Sequence, residues 1–271
     1  MPQYTTRGLR LNYEVVGVGR PLVLLHGLSN FALSWAPQLG GLVARGWQVV
    51  LPDLAGHGRS APVTRATTTQ DLAADVLTLC DHLGLDRAAL CGLSLGGMVA
   101  QQLLVDHPER VAGVVVVAAG PHLAVPGAEA MIASWNELWR SENGPVRRLE
   151  ATWPLLTTAP YRSSPHGQAF YEAWRQVLTG VSGPALAHVA TGLLAFNVAA
   201  ALPHVAVPLL AVAGEQDRLA PPAMVRAVAD VVSTARFVAI PEAGHLVNLE
   251  QPATFNTLLH EFLAGLSDSD S

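Results

Sequence analysis

A serine flanked by glycines is the residue in this sequence best suited to nucleophilic chemistry. Ser94 stands in the pattern Gly-x-Ser-x-Gly, with Gly92 and Gly96 two positions to either side. A short apolar run ends just before it and helix-forming residues follow from Leu95, so the serine lies at a predicted strand-to-helix junction. Glycines at these positions indicate a turn too tight for side chains, which would hold the hydroxyl above the edge of a sheet. Such a pattern can arise by chance, but this context favours a catalytic serine.

A serine hydroxyl needs a base to remove its proton, and that base needs an acid to hold it in place. Of the ten histidines, only His245 lies in a glycine-containing loop directly after a predicted buried strand in the second half of the chain. Asp217 occupies the matching loop one strand earlier, with Glu215 as an alternative acid two residues away. Because the carboxyl ends of parallel strands meet at one sheet edge, we predict a catalytic triad of Ser94, Asp217 and His245 there.

Other polar residues after predicted strands are more simply structural. His26 follows an apolar strand and is expected to bond the loop backbone rather than act as a second base. Asp53 and His57 lie in a glycine-rich loop, where a short aspartate side chain usually bonds turn amides. The sequence contains no cluster of histidine, cysteine and carboxylate residues with metal-ligand spacing and no glycine-rich phosphate loop. We therefore expect no metal and no cofactor.

The segments that must position these residues alternate between buried strands and helices. Thr68 and Asp71 resemble a capping box, and a helical apolar face follows as far as Gly84. The connections between successive segments are short, which predicts an α/β fold with a mostly parallel, doubly wound sheet. The predicted strands cover residues 10–16, 21–25, 47–51, a run ending at Cys91, 111–119, 208–214 and 235–240, and a last helix covers 254–264.

The alternation of strands and helices stops in the middle of the chain. From residue 121 to residue 200 no buried strand is predicted, and prolines and glycines divide the segment into short helices. We predict that residues 1–120 and 201–266 form the core and that 121–200 form an inserted helical cap. The polar residues 267–271 are expected to be disordered.

Tryptophan is concentrated in the predicted cap, which holds four of the six in the chain. Packing among themselves is one interpretation of these residues. A cap over a pocket also needs an apolar lining, which is the other interpretation. On the second interpretation we expect the substrate pocket to include Trp135, Trp139, Trp153 and Leu246.

Composition narrows the class of protein. Half of the 271 residues are hydrophobic and 14% are charged, which allows a large core and argues against general disorder. The net charge is −5 with no basic stripe, which argues against a nucleic-acid partner. No apolar run has the length of a membrane span or a signal peptide, so we expect a cytoplasmic protein with no membrane partner. All 16 basic residues are arginine, which excludes a lysine Schiff base.

Taken together, the motifs resemble those of the α/β-hydrolases, in the order of that family and over nearly all of the chain outside the predicted cap. The matching residues are His26-Gly27, Asp53-x-x-Gly56-x-Gly58-x-Ser60, Gly92-x-Ser94-x-Gly96, Gly214-x-x-Asp217 and Gly244-His245. The resemblance implies the α/β-hydrolase fold with its inserted cap. It also implies an oxyanion hole formed by the backbone N–H groups of Leu28 and Leu95.

Serine at position 94 excludes the haloalkane dehalogenase and epoxide hydrolase branches, because a resemblance to either would require aspartate there. Carbon–carbon bond hydrolases resemble the chain less well, since Leu28-Ser29-Asn30 stands in place of their Gly-Pro-Gly. The segments around Ser94 and His245 are most similar to 3-oxoadipate enol-lactonases and small serine esterases. This resemblance implies hydrolysis of a small-molecule carboxylic ester or lactone through an acyl-serine intermediate. A triad-retaining ligand sensor and a cofactor-free perhydrolase or haloperoxidase are the alternatives.

The arginines of the predicted cap bear on the nature of the substrate. They are Arg140, Arg147, Arg148, Arg162 and Arg175, and a solvated face is their simplest interpretation. The free carboxylate of an acidic lactone would be costly to desolvate in a tryptophan-rich pocket unless an arginine met it. We therefore expect one cap arginine to point inward if the substrate is acidic, and all of them to face solvent if it is neutral.

Overall fold

The computed structural model describes residues 2–266, and the strands in that range form one sheet of eight. They are β1 (Gln3–Thr6), β2 (Leu9–Val16), β3 (Arg20–Leu25), β4 (Trp47–Pro52), β5 (Ala88–Leu93), β6 (Val111–Val117), β7 (Leu209–Gly214) and β8 (Ala235–Ile240). Their spatial order is β1-β2-β4-β3-β5-β6-β7-β8. The pairs β1–β2 and β2–β4 are antiparallel and all later pairs are parallel. The prediction of an α/β fold with a mostly parallel sheet is confirmed.

The predicted strands are all present, with ends shifted by at most two residues. The interior strands β5 and β7 are buried at every position, as expected for parallel strands covered on both faces. Strand β1 was not predicted, because only one face of its short, mostly polar sequence is buried. In the sheet Leu25 of β3 pairs with Gly92 of β5, so the loops that follow these two strands leave the sheet side by side.

Helices connect the strands and complete the predicted alternation. In the flanking parts of the chain they are α1 (Ala36–Val43), α2 (Thr69–His82), α3 (Leu95–Asp106), α9 (Pro222–Ala229), α10 (Val247–Glu250) and α11 (Pro252–Ala264). The predicted capping box is confirmed at the start of α2, where the side chains of Thr68 and Asp71 each accept a hydrogen bond from the other's backbone N–H. Within residues 2–266 no helix has both the length and the apolar character needed to cross a membrane.

The segment from 121 to 200, referred to below as the helical segment, lies between β6 and β7. It contains α4 (Ala128–Arg140), α5 (Gly144–Leu156), α6 (Ala159–Ser163), α7 (Pro165–Leu178) and α8 (Gly183–Leu193). An isolated bridge between His122 and Asn197 joins its two ends, which therefore leave and re-enter the sheet at neighbouring points. Helix α4 packs against α5 and α8. The predicted tail, residues 267–271, lies outside the described residues.

Candidate active site

Ser94 lies on the tight turn between β5 and α3. Its φ of 54° and ψ of −112° are angles that residues with a side chain rarely adopt, and its N–H donates a 2.8 Å hydrogen bond to the carbonyl of Val117. A Cβ at Gly92 would overlap the carbonyl group of Gly96, and a Cβ at Gly96 would overlap that of Leu25. Close backbone contacts therefore require both glycines, which is the reason inferred from the sequence.

The loops after β7 and β8 bring a histidine and a carboxylate together. Nδ1 of His245 lies 2.8 Å from Oδ2 of Asp217, and both side chains are buried. The other carboxylate oxygen of Asp217 accepts hydrogen bonds from the N–H groups of Leu219 and Ala220, at 2.8 and 2.9 Å. This fixes the carboxylate with one oxygen toward the imidazole. The alternative acid, Glu215, is exposed to solvent.

Ser94 and His245 line the same cavity, which has a volume of about 290 Å³. Leu28 and Leu95, the residues expected to supply an oxyanion hole, line it as well. Leu95 is the first residue of α3, where backbone N–H groups have no acceptor within the helix. The N–H of Leu28 donates to no backbone carbonyl of residues 2–266. The N–H groups of Leu28 and Leu95 thus have no backbone acceptor among the described residues, and both residues line the cavity that holds Ser94. Their role in catalysis stays a prediction.

His26 and His57 have structural roles, as the sequence indicated. The ring of His26 bonds the backbone at both nitrogens: Nδ1 lies 2.8 Å from the carbonyl of Gly27, and Nε2 accepts from the N–H of Leu54 at 3.0 Å. Burial lowers the pKa of His26 to about 4 and, together with the neighbouring His26 ring, lowers that of His57 to about 3. Nδ1 of His57 lies 3.0 Å from the carbonyl of Ala55, and its Nε2 is buried without a hydrogen-bond partner among residues 2–266. Asp53 accepts hydrogen bonds from the N–H groups at 32 and 59 and so orders the loops around it.

The expected tryptophan lining is present only in part. Trp135 and Leu246 line the cavity, whereas Trp139 and Trp153 do not. Trp139 lies one turn further along α4 and packs against Trp135 with the ring centroids 6.1 Å apart. Trp153 lies edge-on to Trp174, which itself lines the cavity. Trp139 and Trp153 thus stand behind the cavity wall, and the expectation that they line it is corrected.

One of the five arginines of the helical segment points inward. Arg148 is buried and lines the cavity. The other four lie outside the cavity wall: Arg140, Arg147 and Arg175 are exposed, and half-buried Arg162 donates to backbone carbonyls of its own segment. A further arginine, Arg218, lines the cavity from the loop after β7.

Glu250 joins the histidine loop to the helical segment, a role the sequence analysis did not predict. Its two carboxylate oxygens accept hydrogen bonds from the N–H of Gly244 at 3.0 Å and from the N–H of Thr158 at 2.8 Å. The N–H of His245 donates to the carbonyl of Leu156 at the end of α5, at 3.1 Å. Burial raises the pKa of Glu250. The position of His245 is therefore set in part by the helical segment.

Comparison with known proteins agrees with this architecture. A sequence profile described as the α/β hydrolase fold matches residues 20–252. A protein of Variovorax paradoxus named as the carbamate hydrolase RutD is 32% identical over 261 residues, covering 95% of this chain and 97% of that protein.

Two solved structures are similar over almost their whole length. The enol-lactonase from Burkholderia xenovorans LB400 has a TM-score of 0.90 and 27% identity, covering 97% of this chain and 100% of that chain. A thermophilic esterase from Thermogutta terrifontis, solved with malate bound, has a TM-score of 0.88 and 30% identity, covering 97% of each chain. With the sheet order and the turn at Ser94, these similarities show that the chain belongs to the α/β-hydrolase family.

Proposed function

We propose that this chain is a serine hydrolase that cleaves a small-molecule carboxylic ester or lactone through an acyl-Ser94 intermediate. The observation that carries the proposal is the buried pair of His245 and Asp217, whose histidine shares a cavity with Ser94. With Nδ1 engaged by the carboxylate, Nε2 is the ring nitrogen left to accept a proton. The similarity to an enol-lactonase and to an esterase supports a lactone or ester as substrate.

In the proposed reaction, His245 removes the proton of Ser94 as Oγ attacks the carbonyl carbon. The N–H groups of Leu28 and Leu95 donate to the oxyanion that forms, and each such donor stabilises the transition state by about 3 kcal/mol. Asp217 stabilises the imidazolium, which then gives its proton to the departing alkoxide. A water molecule, deprotonated by the same histidine, hydrolyses the acyl-serine. The helical segment acts as the cap, because Trp135 and Trp174 come from it and form part of the cavity wall.

A carbamate is the second candidate substrate, favoured by the 32% identity to the protein named as RutD. Its carbonyl undergoes the same attack but is less electrophilic, because the nitrogen lone pair is delocalised into it. Comparing 4-nitrophenyl acetate with 4-nitrophenyl N-methylcarbamate separates the two candidates. We expect the higher kcat/KM for the acetate, and a higher value for the carbamate would replace the ester proposal.

Perhydrolysis fits the cavity less well than hydrolysis does. Met98, Met131 and Met224 line the cavity, and these are all the methionines of the chain apart from Met1. Peracids and hypohalites oxidise thioethers, so an enzyme that made them here would damage its own substrate pocket. Peroxide-dependent halogenation that persists over many turnovers would favour the perhydrolase. Binding without turnover would favour a ligand sensor.

The test of the proposed function is to trap the intermediate. Stopped-flow mixing with 4-nitrophenyl acetate should release a burst of about one 4-nitrophenol per chain, followed by steady turnover, because acylation and deacylation are separate steps. Acid quenching during the burst and mass spectrometry of the digest should place an acetyl group on the peptide that carries Ser94. The peptide that carries exposed Ser134 serves as the control, and no acetyl group is expected on it. An acetyl group found only on other residues would contradict the proposal.

Glu250→Gln is expected to lower kcat by roughly 10-fold with a smaller change in KM, as for the loss of a hydrogen bond to a charged group. Glutamine offers one acceptor oxygen, so its amide nitrogen must face the N–H of either Gly244 or Thr158. The loop that carries His245 then loses one of the hydrogen bonds that hold it to the helical segment, whereas the side chains that line the cavity are unchanged. The control is exposed Glu261→Gln, and equal rates for both variants would show that the carboxylate does not position His245.

A further inference from the structure

Arg148 is a charged side chain inside an apolar wall. It is 2% exposed, and its guanidinium lies over the rings of Trp135 and Trp139, at 4.2 and 5.1 Å from their centroids. Its one hydrogen bond to the described residues runs from Nη1 to the hydroxyl of Ser29, at 3.2 Å. Nε is buried without an acceptor. Most of its five N–H donors are therefore unused by the protein.

No acidic side chain of residues 2–266 balances the charge of this arginine. Desolvation lowers the pKa of Arg148 to about 9, so the side chain still carries its charge at neutral pH, and no charged neighbour among the described residues contributes to the shift. Burying an unpaired charge is costly, and arginines that are fully buried are usually paired. The two tryptophan faces offset part of that cost but leave the N–H donors unsatisfied.

The rest of the cavity wall also presents side-chain hydrogen-bond donors rather than carboxylates. Among residues 2–266, the charged side chains that line the cavity are Arg148 and Arg218, and no aspartate or glutamate does so, although the whole chain carries a net charge of −5. Asn30 also lines the cavity, and its Nδ2 is buried without an acceptor. Arg218 is exposed on the loop that carries Asp217. Donors without acceptors, gathered around one cavity, indicate a ligand rich in anionic oxygen.

We propose that Arg148 and Asn30 form a carboxylate-binding subsite, so that the substrate is an ester or lactone that also bears a free carboxylate. This inference rests on the proposed function, because it places the anion in the cavity that holds Ser94. The carboxylate pairs with the guanidinium, and the amide of Asn30 donates to the same group. Arg218 attracts the anion to the entrance. Ser29 precedes Asn30 and follows Leu28, so the subsite lies beside the proposed oxyanion hole.

A purely structural role for Arg148 makes a different prediction. As a tie between α5 and the loop of Ser29, the side chain would support the cavity equally for every substrate. Its loss would then lower activity toward charged and neutral substrates by the same factor. A carboxylate receptor instead changes the ratio between them. The ratio of kcat/KM for an anionic substrate to that for its neutral twin is therefore the quantity to measure.

The experiment uses two matched pairs of substrates. Mono(4-nitrophenyl) glutarate and its methyl ester carry the charge, or its neutral substitute, on the acyl part. The corresponding pair 4-acetoxybenzoate and methyl 4-acetoxybenzoate carry it on the alcohol part. The wild-type protein is expected to prefer the anionic member of at least one pair. A preference for the neutral member of both pairs would overturn the proposal.

Variants of Arg148 then test the residue itself. Arg148→Met keeps an unbranched side chain against the tryptophans and should lower the anionic-to-neutral ratio by roughly 10- to 100-fold, as expected for a lost charged hydrogen bond. Arg148→Lys keeps the charge without the planar fork and should give an intermediate ratio. Arg147→Met is the control, because Arg147 is the exposed neighbour on α5, and its ratio should match that of the wild type. An unchanged ratio in Arg148→Met would overturn the subsite.

Binding without turnover separates this inference from the proposed function. In Ser94→Ala protein, titration calorimetry should detect monomethyl glutarate and give weaker binding for dimethyl glutarate. Adding Arg148→Met should abolish that difference. Charge-dependent binding in a protein that hydrolyses no ester would contradict the proposed function and support the subsite. Ester hydrolysis by the wild type, combined with equal binding of monomethyl and dimethyl glutarate, would support the proposed function and contradict the subsite.

Discussion

Replacing Ser94 by alanine is expected to lower kcat toward 4-nitrophenyl acetate by ~10⁵–10⁶-fold, because the members of a catalytic triad act as a unit. Without the hydroxyl, the pair of His245 and Asp217 has no nucleophile to activate. The turn itself should persist, since alanine keeps the Cβ and the backbone N–H that bonds the carbonyl of Val117. The variant is therefore expected to be folded and nearly inactive.

Initial rates above the spontaneous hydrolysis of the ester provide the measurement, with thermal unfolding to check the fold. Ser134→Ala is the matched control, because that serine is exposed on α4, and its kcat should equal that of the wild type. The remaining activity of Ser94→Ala should come from binding and the oxyanion donors alone. Retention of about a tenth of the wild-type kcat would contradict the acyl-serine mechanism, since a variant without its nucleophile cannot work at that rate.

The residues proposed for the triad could be predicted because their signals are local. Ser94 follows directly on β5, Asp217 lies three residues after the end of β7, and His245 lies five residues after the end of β8. Each strand end is marked by an apolar run that gives way to glycine or polar residues. Parallel pairing then brings such ends to one edge whatever the rest of the chain does. The steric need for Gly92 is local as well, since the atoms that crowd it belong to Gly96 and Gly97 of the turn, whereas Gly96 is crowded by Leu25 of the neighbouring strand β3.

The residues that were missed depend on contacts far apart in the sequence. Glu250 bonds the N–H of Thr158, which is 92 residues away, and no local pattern signals that contact. Trp139 is expected in the cavity wall because tryptophan is concentrated in the predicted cap, and in the structure it lies one turn from Trp135 on α4. Periodicity identifies a face but not the point along the helix that the cavity reaches, so the sequence could not decide whether Trp139 packs behind the wall or lines the cavity.

Arg147 and Arg148 are adjacent, and the sequence alone does not show which of them faces the cavity. Adjacent residues lie about 100° apart around a helix, so one of the two can point into the cavity while the other faces solvent. Which one does so depends on how α5 packs against α4 and α7. The sequence could therefore state that a carboxylate-bearing substrate requires an inward arginine. Only the packed helices identify Arg148 as that residue.

Asp217→Asn is expected to lower kcat by roughly 10⁴-fold, through the tautomer of His245 rather than through a change of shape. The N–H groups of Leu219 and Ala220 both donate to Oδ1 of Asp217. In the variant the amide oxygen takes that place, which leaves the NH₂ group facing Nδ1 of His245. An NH₂ donor requires an unprotonated Nδ1, so the proton moves to Nε2. The nitrogen that should accept the proton of Ser94 is then already protonated.

The matched control for this substitution is Glu215→Gln, which removes the alternative acid from the same loop. Glu215 is exposed, so the control should keep the wild-type kcat, whereas Asp217→Asn should lose nearly all of it. Two-dimensional ¹⁵N NMR of histidine-labelled protein reports the tautomer directly, since protonated and unprotonated ring nitrogens resonate far apart. The expected spectrum places the proton of His245 on Nδ1 in the wild type and on Nε2 in the variant. Full activity in Asp217→Asn, or its loss in Glu215→Gln, would assign the acid to Glu215 instead.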